Sequence, residues 1–401
     1  MTQRLAPQNE RIGTLLAFAL IPISGLAVDV YVPSIPAMAA DLAVTSVVVK
    51  LTITAFLISY GLSQLFVGNV LDSFGRYRIN LFCLLAFAAS CIGIVLTRNI
   101  PAILLLRFIQ GIAVGTIVVA KRAFFIDVYV GEKRRHYTSL VTVVWAAAPV
   151  VGPFFGGYLQ AIFGWKSNFY FLALYGLAML VLELKFSGET LKTAQPFHPR
   201  AIYRAYRTIL SARDFSLGLL ILGLSYSMIT VFVMNMPFIV EHGFGLSPVV
   251  TGYCALSSGI ALLLGGLWGK YLIDRPLLHK TRAANWLQLA VAALMFGAGC
   301  WFNNLYAIMA FVFLLHLLQG FIYNGYFTYC ITRFPAYAAS ASGITSGGAY
   351  AFISLFSYAI TATLNIHDQK SLSLSYIILA VMILMTLFMA KKALAAAGEG
   401  A

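Results

Sequence analysis

The chain has 401 residues, of which 61% are hydrophobic and 10% are charged, whereas a soluble domain is about half apolar and about a quarter charged. This composition excludes an ordinary soluble protein and predicts an integral membrane protein. The formal net charge of +14 at pH 7 would suit nucleic-acid binding. The basic residues, however, fall between apolar stretches and form no continuous stripe, so we expect no nucleic-acid partner.

Twelve membrane-spanning helices are the predicted elements. The segment from Met1 to Ile12 is polar, and the apolar run after it is about 25 residues long with no small-residue cleavage site. We interpret that run as a first span and not as a cleaved signal peptide. A spanning helix needs roughly 20 apolar residues. The stretches that meet this length lie at approximately residues 14–38, 47–71, 79–96, 101–128, 137–163, 165–186, 215–240, 248–273, 283–302, 305–331, 336–364 and 372–390.

The longest polar segment, residues 187–214, separates the sixth and seventh stretches. We therefore expect an all-α membrane protein with two six-helix bundles, residues 1–187 and 214–401. A cytoplasmic linker of residues 188–213 would join them.

The basic residues predict the orientation, because short cytoplasmic loops carry an excess of Lys and Arg. With the N-terminus inside, few basic residues face outward: Arg98, Lys370, Lys50 and Lys166. The cytoplasmic side then holds Arg76, Arg78, Lys133, Arg134, Arg135, Lys192, Arg200, Arg204, Arg207, Arg213, Arg275, Lys280, Arg282, Lys391 and Lys392. Both termini are therefore expected in the cytoplasm.

No catalytic or metal-binding constellation is visible in the sequence. Five cysteines stand singly in apolar spans, without a C-x-x-C pair or histidines at ligand spacing: Cys83, Cys91, Cys254, Cys300 and Cys330. We interpret them as packing residues. Neither a nucleotide-binding loop nor an H-E-x-x-H motif is present, so we expect no enzyme, no ATP-driven pump, no cofactor and no metal.

A charged cluster stands between the second and third stretches. Its glycines permit a tight turn and close helix approach, and a carboxylate at a helix end can pair with a nearby arginine. We predict a cytoplasmic latch that breaks when the bundles rock against each other, and an ordinary basic loop is the alternative. The latch residues are Gly68, Asp72, Gly75, Arg76, Arg78 and, from the end of the fourth stretch, Asp127.

This loop resembles the G-x-L-a-D-r-x-G-r-k/r motif of the major facilitator superfamily, and further matches extend the resemblance over the whole chain. Arg107, Gln110 and Gly111 resemble its R-x-x-q-G pattern, and the Glu189-Thr190-Leu191 segment resembles its E-T-L ending of the first half. A G-P-x-x-G-G motif associated with antiporters is matched by Gly152, Pro153, Gly156 and Gly157, for which helix packing alone is the alternative.

Within that superfamily the bicyclomycin-resistance (Bcr/CflA) drug-efflux group is similar. Asp29 to Pro36 resemble its D-m-Y-L-P-a-l-P motif, and Arg122 to Asp127 resemble R-A-i-v-R-D. The segments 51–65 and 341–343 and Asn324 add to the match. The chain departs from the group at Ser73, Lys50, Ile126 and Lys166. The resemblance implies a monomeric drug:proton antiporter of the bacterial inner membrane.

By elimination, Asp29 is the carboxylate expected deep inside a hydrophobic span, where a charge costs several kcal/mol and marks a functional site. It lies roughly 12 Å from the outer end of the first span, and Arg107 lies roughly 9 Å into the fourth. Both spans border the cavity in the superfamily, so we predict that Asp29 and Arg107 meet and couple transport to protons. The alternatives are that Asp29 caps the bend before Pro33, or that Glu241 or Glu183 carries the proton. His316 either titrates or packs.

Aromatic residues and cations predict the substrate. An aromatic cavity suits amphiphilic organic molecules, and four cations (Lys50, Arg107, Lys121, Arg122) beside few acids favour an anionic one. Packing is the alternative for each aromatic residue, snorkelling for Lys50 and Lys121, and pairing with Asp127 or Asp72 for Arg122. The predicted substrate-contacting residues are Tyr31, Lys50, Phe56, Tyr60, Lys121, Arg122, Trp145, Tyr226, Phe232, Tyr323 and Asn324, with Tyr350 as a further aromatic candidate.

Three functional hypotheses follow. The first is a proton-coupled exporter of small organic molecules, either drugs or metabolites, that works by alternating access in the lipid bilayer. The second is a carrier of an anionic polycarboxylate, such as a carboxylate-type siderophore, in either direction. The third is a membrane protein of another class, such as a receptor or a membrane enzyme, although no catalytic constellation supports the enzyme.

Overall fold

The computed structural model describes residues 4–194, 196–272 and 274–396. Side chains at positions 142, 143, 145–148, 150, 339 and 392–396 lie outside this description, and with them the predictions made for Trp145 and Lys392. The chain divides into two compact units, residues 1–198 and 199–401. The secondary-structure elements of the described residues are all helices, so the all-α prediction is confirmed.

Unit 1 contains eight helices in its described part. Within it α4 packs along α6, and α5 packs along both α6 and α8. The bounds are α1 (Glu10–Leu20), α2 (Ile23–Asp29), α3 (Ile35–Asp41), α4 (Ser46–Phe74), α5 (Tyr77–Leu96), α6 (Ile100–Val128), α7 (Gly131–Phe163) and α8 (Lys166–Phe186).

Unit 2 contains seven α-helices in its described part, and a π-helical turn (Ile239–Gly243) extends the second of them. Helix α11 packs along α13, and α10 packs along α14 and α15. The bounds are α9 (Pro199–Ser211), α10 (Arg213–Phe238), α11 (Pro248–Tyr271), α12 (Leu277–Trp301), α13 (Leu305–Thr332), α14 (Ala338–Leu364) and α15 (Gln369–Ala396).

Eleven helical segments of the described chain are long and apolar enough to cross a membrane. Each coincides with one of the stretches predicted from the sequence. The remaining predicted stretch falls in α7, which is 33 residues long, contains Pro149 and Pro153, and includes the side chains outside the description. The helices thus account for all twelve predicted spans.

The first span is broken, whereas the sequence predicted one stretch over residues 14–38. Helix α1 ends at Leu20, α2 ends at Asp29, a 3-10 turn covers Val32–Ser34, and α3 follows. Three prolines explain the breaks, because proline lacks the amide donor of a helix interior and is accommodated at helix starts. Pro22 precedes α2, Pro33 lies in the 3-10 turn and Pro36 lies in the first turn of α3.

The segment predicted as a linker contains a helix, α9, that its polar composition did not suggest. Ala205 and Ile209, four residues apart, are buried, and α9 packs against α10 and α14. Arg200, Arg204 and Arg207 are exposed. This apolar stripe with a polar remainder is the pattern of an amphipathic helix that lies on a larger core.

Candidate functional site

Asp29 lies at the break of the first span. It is the last residue of α2, and the side chain is buried with 9% of its surface exposed. Within the described part of the chain, no basic side chain forms an ion pair with it. The carboxyl group is therefore held at membrane depth without a described countercharge, next to backbone that is not helical.

Helix α7 supplies the surface against which this break packs. A Cβ atom on Gly152 would lie 3.1 Å from the Cβ atom of Asp29, and one on Gly156 would collide with the carbonyl oxygen of Val30. Pro153 and Gly157 are buried beside them. The glycine-proline motif of α7 thus brings its backbone against the residues that carry the acid.

A hydrogen bond from α8 fixes the far side of the break. Asn168 donates from Nδ2 to Ser34 Oγ over 2.5 Å, and the same nitrogen lies 3.4 Å from the carbonyl oxygen of Gly156. Asn168 and Ser34 are fully buried. Helices α2, α3, α7 and α8 therefore meet at this point.

Arg107 does not pair with Asp29, so that prediction is wrong for this structure. The guanidinium is fully buried and donates to the carbonyl oxygens of Ala27, over 3.0 Å, and Thr52, over 3.2 Å. It also donates to Gln110 Oε1 over 2.8 Å. The carbonyl of Ala27 is available because it lies in the last turn of α2, where carbonyl groups lose their intrahelical partners.

Two aromatic rings complete the environment of Arg107. Its Cζ atom lies 4.5 Å from the centroid of Tyr31 and 4.6 Å from that of Phe56, distances at which a cation is attracted to a ring face. Tyr31 also hydrogen bonds with Thr52 over 3.0 Å, and Phe56 stacks with Tyr60 at 6.0 Å. These three predicted substrate residues are almost fully buried. Tyr31 and Phe56 contact Arg107, and Tyr60 lies behind Phe56.

Lys121 is paired, contrary to the expectation that it is a snorkelling or substrate-facing cation. Its Nζ lies 2.6 Å from Glu183 Oε1, and Glu183 is fully buried. Glu183 is therefore a second deeply buried carboxylate, and the expectation that Asp29 alone is buried in a span is wrong. Lys50 is also buried, and Arg122 is half-buried.

The predicted latch is assembled around Arg76. Its guanidinium lies 2.9 Å from Asp72 Oδ1 and 2.9 Å from Asp127 Oδ2. Arg76, and not Arg122, is thus the described partner of both acids. Gly75 adopts φ = 93°, a backbone angle at which a residue with a side chain would be strained. It forms the predicted tight turn. Arg78 is exposed, and a Cβ atom at Gly68 would meet open space.

Two residues in contact with the Arg76 cluster were missed, although the E-T-L ending contains both. Glu189 accepts from the backbone amides of Arg76, over 2.9 Å, and Tyr77, over 3.1 Å, and so caps the start of α5. Thr190 donates to Asp127 over 3.0 Å. Their role depends on proximity across more than 60 residues of chain, which the local sequence does not reveal.

The site residues predicted in unit 2 lie on α10 and α13, where Tyr226 and Tyr323 face each other at 5.2 Å and Asn324 donates to the carbonyl of Gly266 over 2.8 Å. His316 is fully buried between Ser258, at 2.7 Å, and Tyr376, at 3.3 Å, with Phe232 against its ring. This arrangement agrees with the packing interpretation of His316. Glu241 lies in the π-helical turn, and Tyr350 lies on α14.

The cysteines are mostly buried, in agreement with a packing role. Cys83, Cys91, Cys254 and Cys330 are buried and unbridged, whereas Cys300 is exposed at the end of α12. The exposed thiol matters for the labelling experiments described below.

Comparison with known proteins gives consistent matches over most of the chain. A family model described as the Major Facilitator Superfamily matches residues 17–358. The chain is 25% identical over 299 residues to Multidrug resistance protein D of Escherichia coli (strain K12), which covers 74% of this chain and 73% of that protein. It is 26% identical over 290 residues to the Bicyclomycin resistance protein homolog of Haemophilus influenzae, with 72% and 71% covered.

A solved structure shows the same fold. The crystal structure of a D-xylose-proton symporter matches with a TM-score of 0.73 at 13% identity, and the match covers 94% of this chain and 96% of that one. The likeness extends over both units.

Proposed function

Because the chain belongs to the major facilitator superfamily, as its family match shows, we propose that this multi-pass transporter is proton-coupled and exports small organic molecules. The export direction and the substrate class are supported by the names of two relatives, a multidrug resistance protein and a bicyclomycin resistance homolog. We further propose that the protein is a monomer in the bacterial inner membrane, with both termini in the cytoplasm.

One observation carries the proton coupling: Asp29 is buried at a broken helix without a described ion-pair partner. A carboxyl group that alternates between a buried and a hydrated environment changes its affinity for protons. The backbone next to Asp29 is the proposed point of movement, because continuous α-helical hydrogen bonds do not hold residues 30–34. Arg107, bound to the carbonyl of Ala27, ties this movement to α6.

Alternating access then follows as a rocking of the two bundles. The cluster of Arg76, Asp72 and Asp127 would be the cytoplasmic latch of the first bundle. Tyr60 in unit 1 and, in unit 2, Tyr226 and Tyr323 are proposed substrate-contacting residues.

The polycarboxylate carrier has less support than its sequence argument suggested. That argument counted four cations near few acids, but Lys121 is neutralised by Glu183. Arg107 is surrounded by carbonyl groups and rings. No observation among the described residues favours this function over export.

Transport in reconstituted vesicles tests the proposal, with bicyclomycin as the first of a panel of amphiphilic antibiotics. An imposed pH gradient is expected to drive accumulation by the wild-type protein. The Asp29→Asn variant should fold normally and lose at least about tenfold of this pH-driven flux, because an amide cannot carry the proton.

Asp41→Asn is the matched control. Asp41 is the last residue of α3, and its carboxylate pairs with the exposed Arg98. It should transport as the wild-type protein does. Unchanged pH-driven flux in the Asp29→Asn variant would contradict proton coupling at this residue.

A further inference from the structure

A second charged cluster lies inside unit 1, close to the latch. Lys121 Nζ and Glu183 Oε1 are 2.6 Å apart, and their side chains are 6% and 0% exposed. Asn80 Nδ2 lies 3.3 Å from the other carboxylate oxygen, Oε2. A buried ion pair with an additional hydrogen bond is well satisfied, because each charge has a partner away from water. We call Lys121, Glu183 and Asn80 the inner cluster.

The inner cluster lies beside the start of α5, directly after the turn that holds Arg76. Helix α5 packs along α6 on one side and α8 on the other, and the ion pair connects α6 to α8 directly. Asn80 lies on α5, and its backbone N–H donates to the carbonyl oxygen of Arg76 over 3.0 Å. The start of α5 is thus enclosed by its two neighbours and by the charge pair between them.

Each residue of the inner cluster lies within six residues, along the chain, of a residue in or next to the latch. Arg76 lies one helical turn before Asn80, and Asp127 lies six residues after Lys121, about 9 Å along α6. Glu189, which caps the start of α5, lies six residues after Glu183. Asp127 and Lys121 thus share α6, whereas Arg76 directly precedes α5 and Glu189 follows the end of α8.

We infer that Lys121 and Glu183 are positioning residues, and that their ion pair fixes the start of α5 so that Arg76 reaches Asp72 and Asp127 together. The inference rests on the proposed function in treating the Arg76 cluster as a latch. Removing one charge leaves the other buried without a partner, which is more costly than losing the pair as a whole. The lone charge would draw in water or separate α6 from α8, and α5 would move with them.

Labelling of the turn next to Arg76 tests the inference. Ser73 lies in the last turn of α4 and is half-buried. A Ser73→Cys reporter, in a Cys300→Ser background that removes the exposed thiol, reacts with a membrane-impermeant maleimide in inside-out vesicles. Lys121→Met and Glu183→Gln should each raise the labelling rate about fivefold or more. The double variant, which leaves no lone charge, should return to within about twofold of the parent.

A charge-reversed variant, Lys121→Glu with Glu183→Lys, supplies a second readout if a single variant does not fold, and it should label as slowly as the parent. Arg98→Gln, which breaks the exposed pair with Asp41, is the control and should leave the rate unchanged. Single variants that unfold at lower temperature but label at the parent rate would show a pair that stabilises without positioning, and would overturn the inference. Equal labelling rates in the two single variants and the double variant would also overturn the inference.

Labelling needs no substrate and no proton gradient, so it separates this inference from the transport hypothesis. Changed labelling in a protein that moves no antibiotic would support the positioning role alone. Unchanged labelling in an active transporter would remove the positioning role and leave the proposed function standing.

Discussion

At the scale of single residues, Arg107 shows how a buried charge is stabilised without an acid. The guanidinium is fully buried, and its neighbours are two backbone carbonyl groups, an amide oxygen and two ring faces. A planar guanidinium can donate in its plane and stack on both faces at once, which an ammonium cannot do. Arg107 is therefore an anchor between α2, α4 and α6, and Asp29 keeps its carboxyl group outside this set of contacts.

The Arg107→Lys variant tests whether geometry or charge matters at this position. Lysine retains the positive charge but loses the ring stacking and at least one carbonyl contact, so we expect a loss of about 2 kcal/mol of stability. Thermal unfolding in detergent measures the difference. Arg98→Lys, at a side chain that is 74% exposed, is the matched control and should unfold like the wild-type protein. Wild-type stability of Arg107→Lys would show that charge alone suffices.

At the scale of helices, the break of the first span and the glycine-proline motif of α7 form one arrangement. The carbonyl of Val30 is directed at Gly156, and the Cβ atom of Asp29 lies close to Gly152. Because glycine has no side chain, the two backbones approach closely where Asp29 must be held. The glycine-proline motif of α7 thus packs against the proline-containing break of the first span.

Gly156→Ala should disturb this arrangement, because the added methyl group collides with the backbone of Val30 and neither element can yield cheaply. We expect a loss of about 1–3 kcal/mol in thermal unfolding, together with reduced pH-driven flux. Gly297→Ala in α12 is the control, since its methyl group meets open space and alanine favours a helix by about 1 kcal/mol. Equal stability of the two variants would exclude close packing at Gly156.

At the scale of the whole molecule, the chain consists of two helical units whose boundary, between residues 198 and 199, immediately precedes α9. The distribution of Lys and Arg predicts on which side of the membrane each connection lies. With the predicted orientation, the Arg76 cluster would lie at the cytoplasmic side and Asp29 nearer the outer side.

Cysteine labelling in whole cells tests the orientation. In the Cys300→Ser background, His367→Cys, which precedes α15 and is exposed, should react with an impermeant maleimide added outside. His198→Cys, which is exposed before α9, should react only after the membrane is permeabilised. The reverse pattern would invert the predicted topology.

Much of the fold could be predicted because its signals are local. A run of apolar residues specifies a membrane span by itself, and a proline or glycine specifies a break or a turn within a few residues. The spans and the tight turn at Gly75 were found in this way, whereas a bend before Pro33 was named only within an alternative for Asp29. Helix α9 was missed because its apolar stripe is short and its overall composition is polar.

The sequence alone determined the membrane class, the helical architecture, the family resemblance and the residues worth testing, because composition, hydropathy and motifs are properties of adjacent positions. The tertiary structure decided which charges are paired. Arg107 donates hydrogen bonds to the carbonyl groups of Ala27 and Thr52, and Lys121 pairs with Glu183, 62 residues away. Such pairings depend on which helices become neighbours, and the cost of leaving a buried charge unsatisfied selects among partners that lie far apart in the chain.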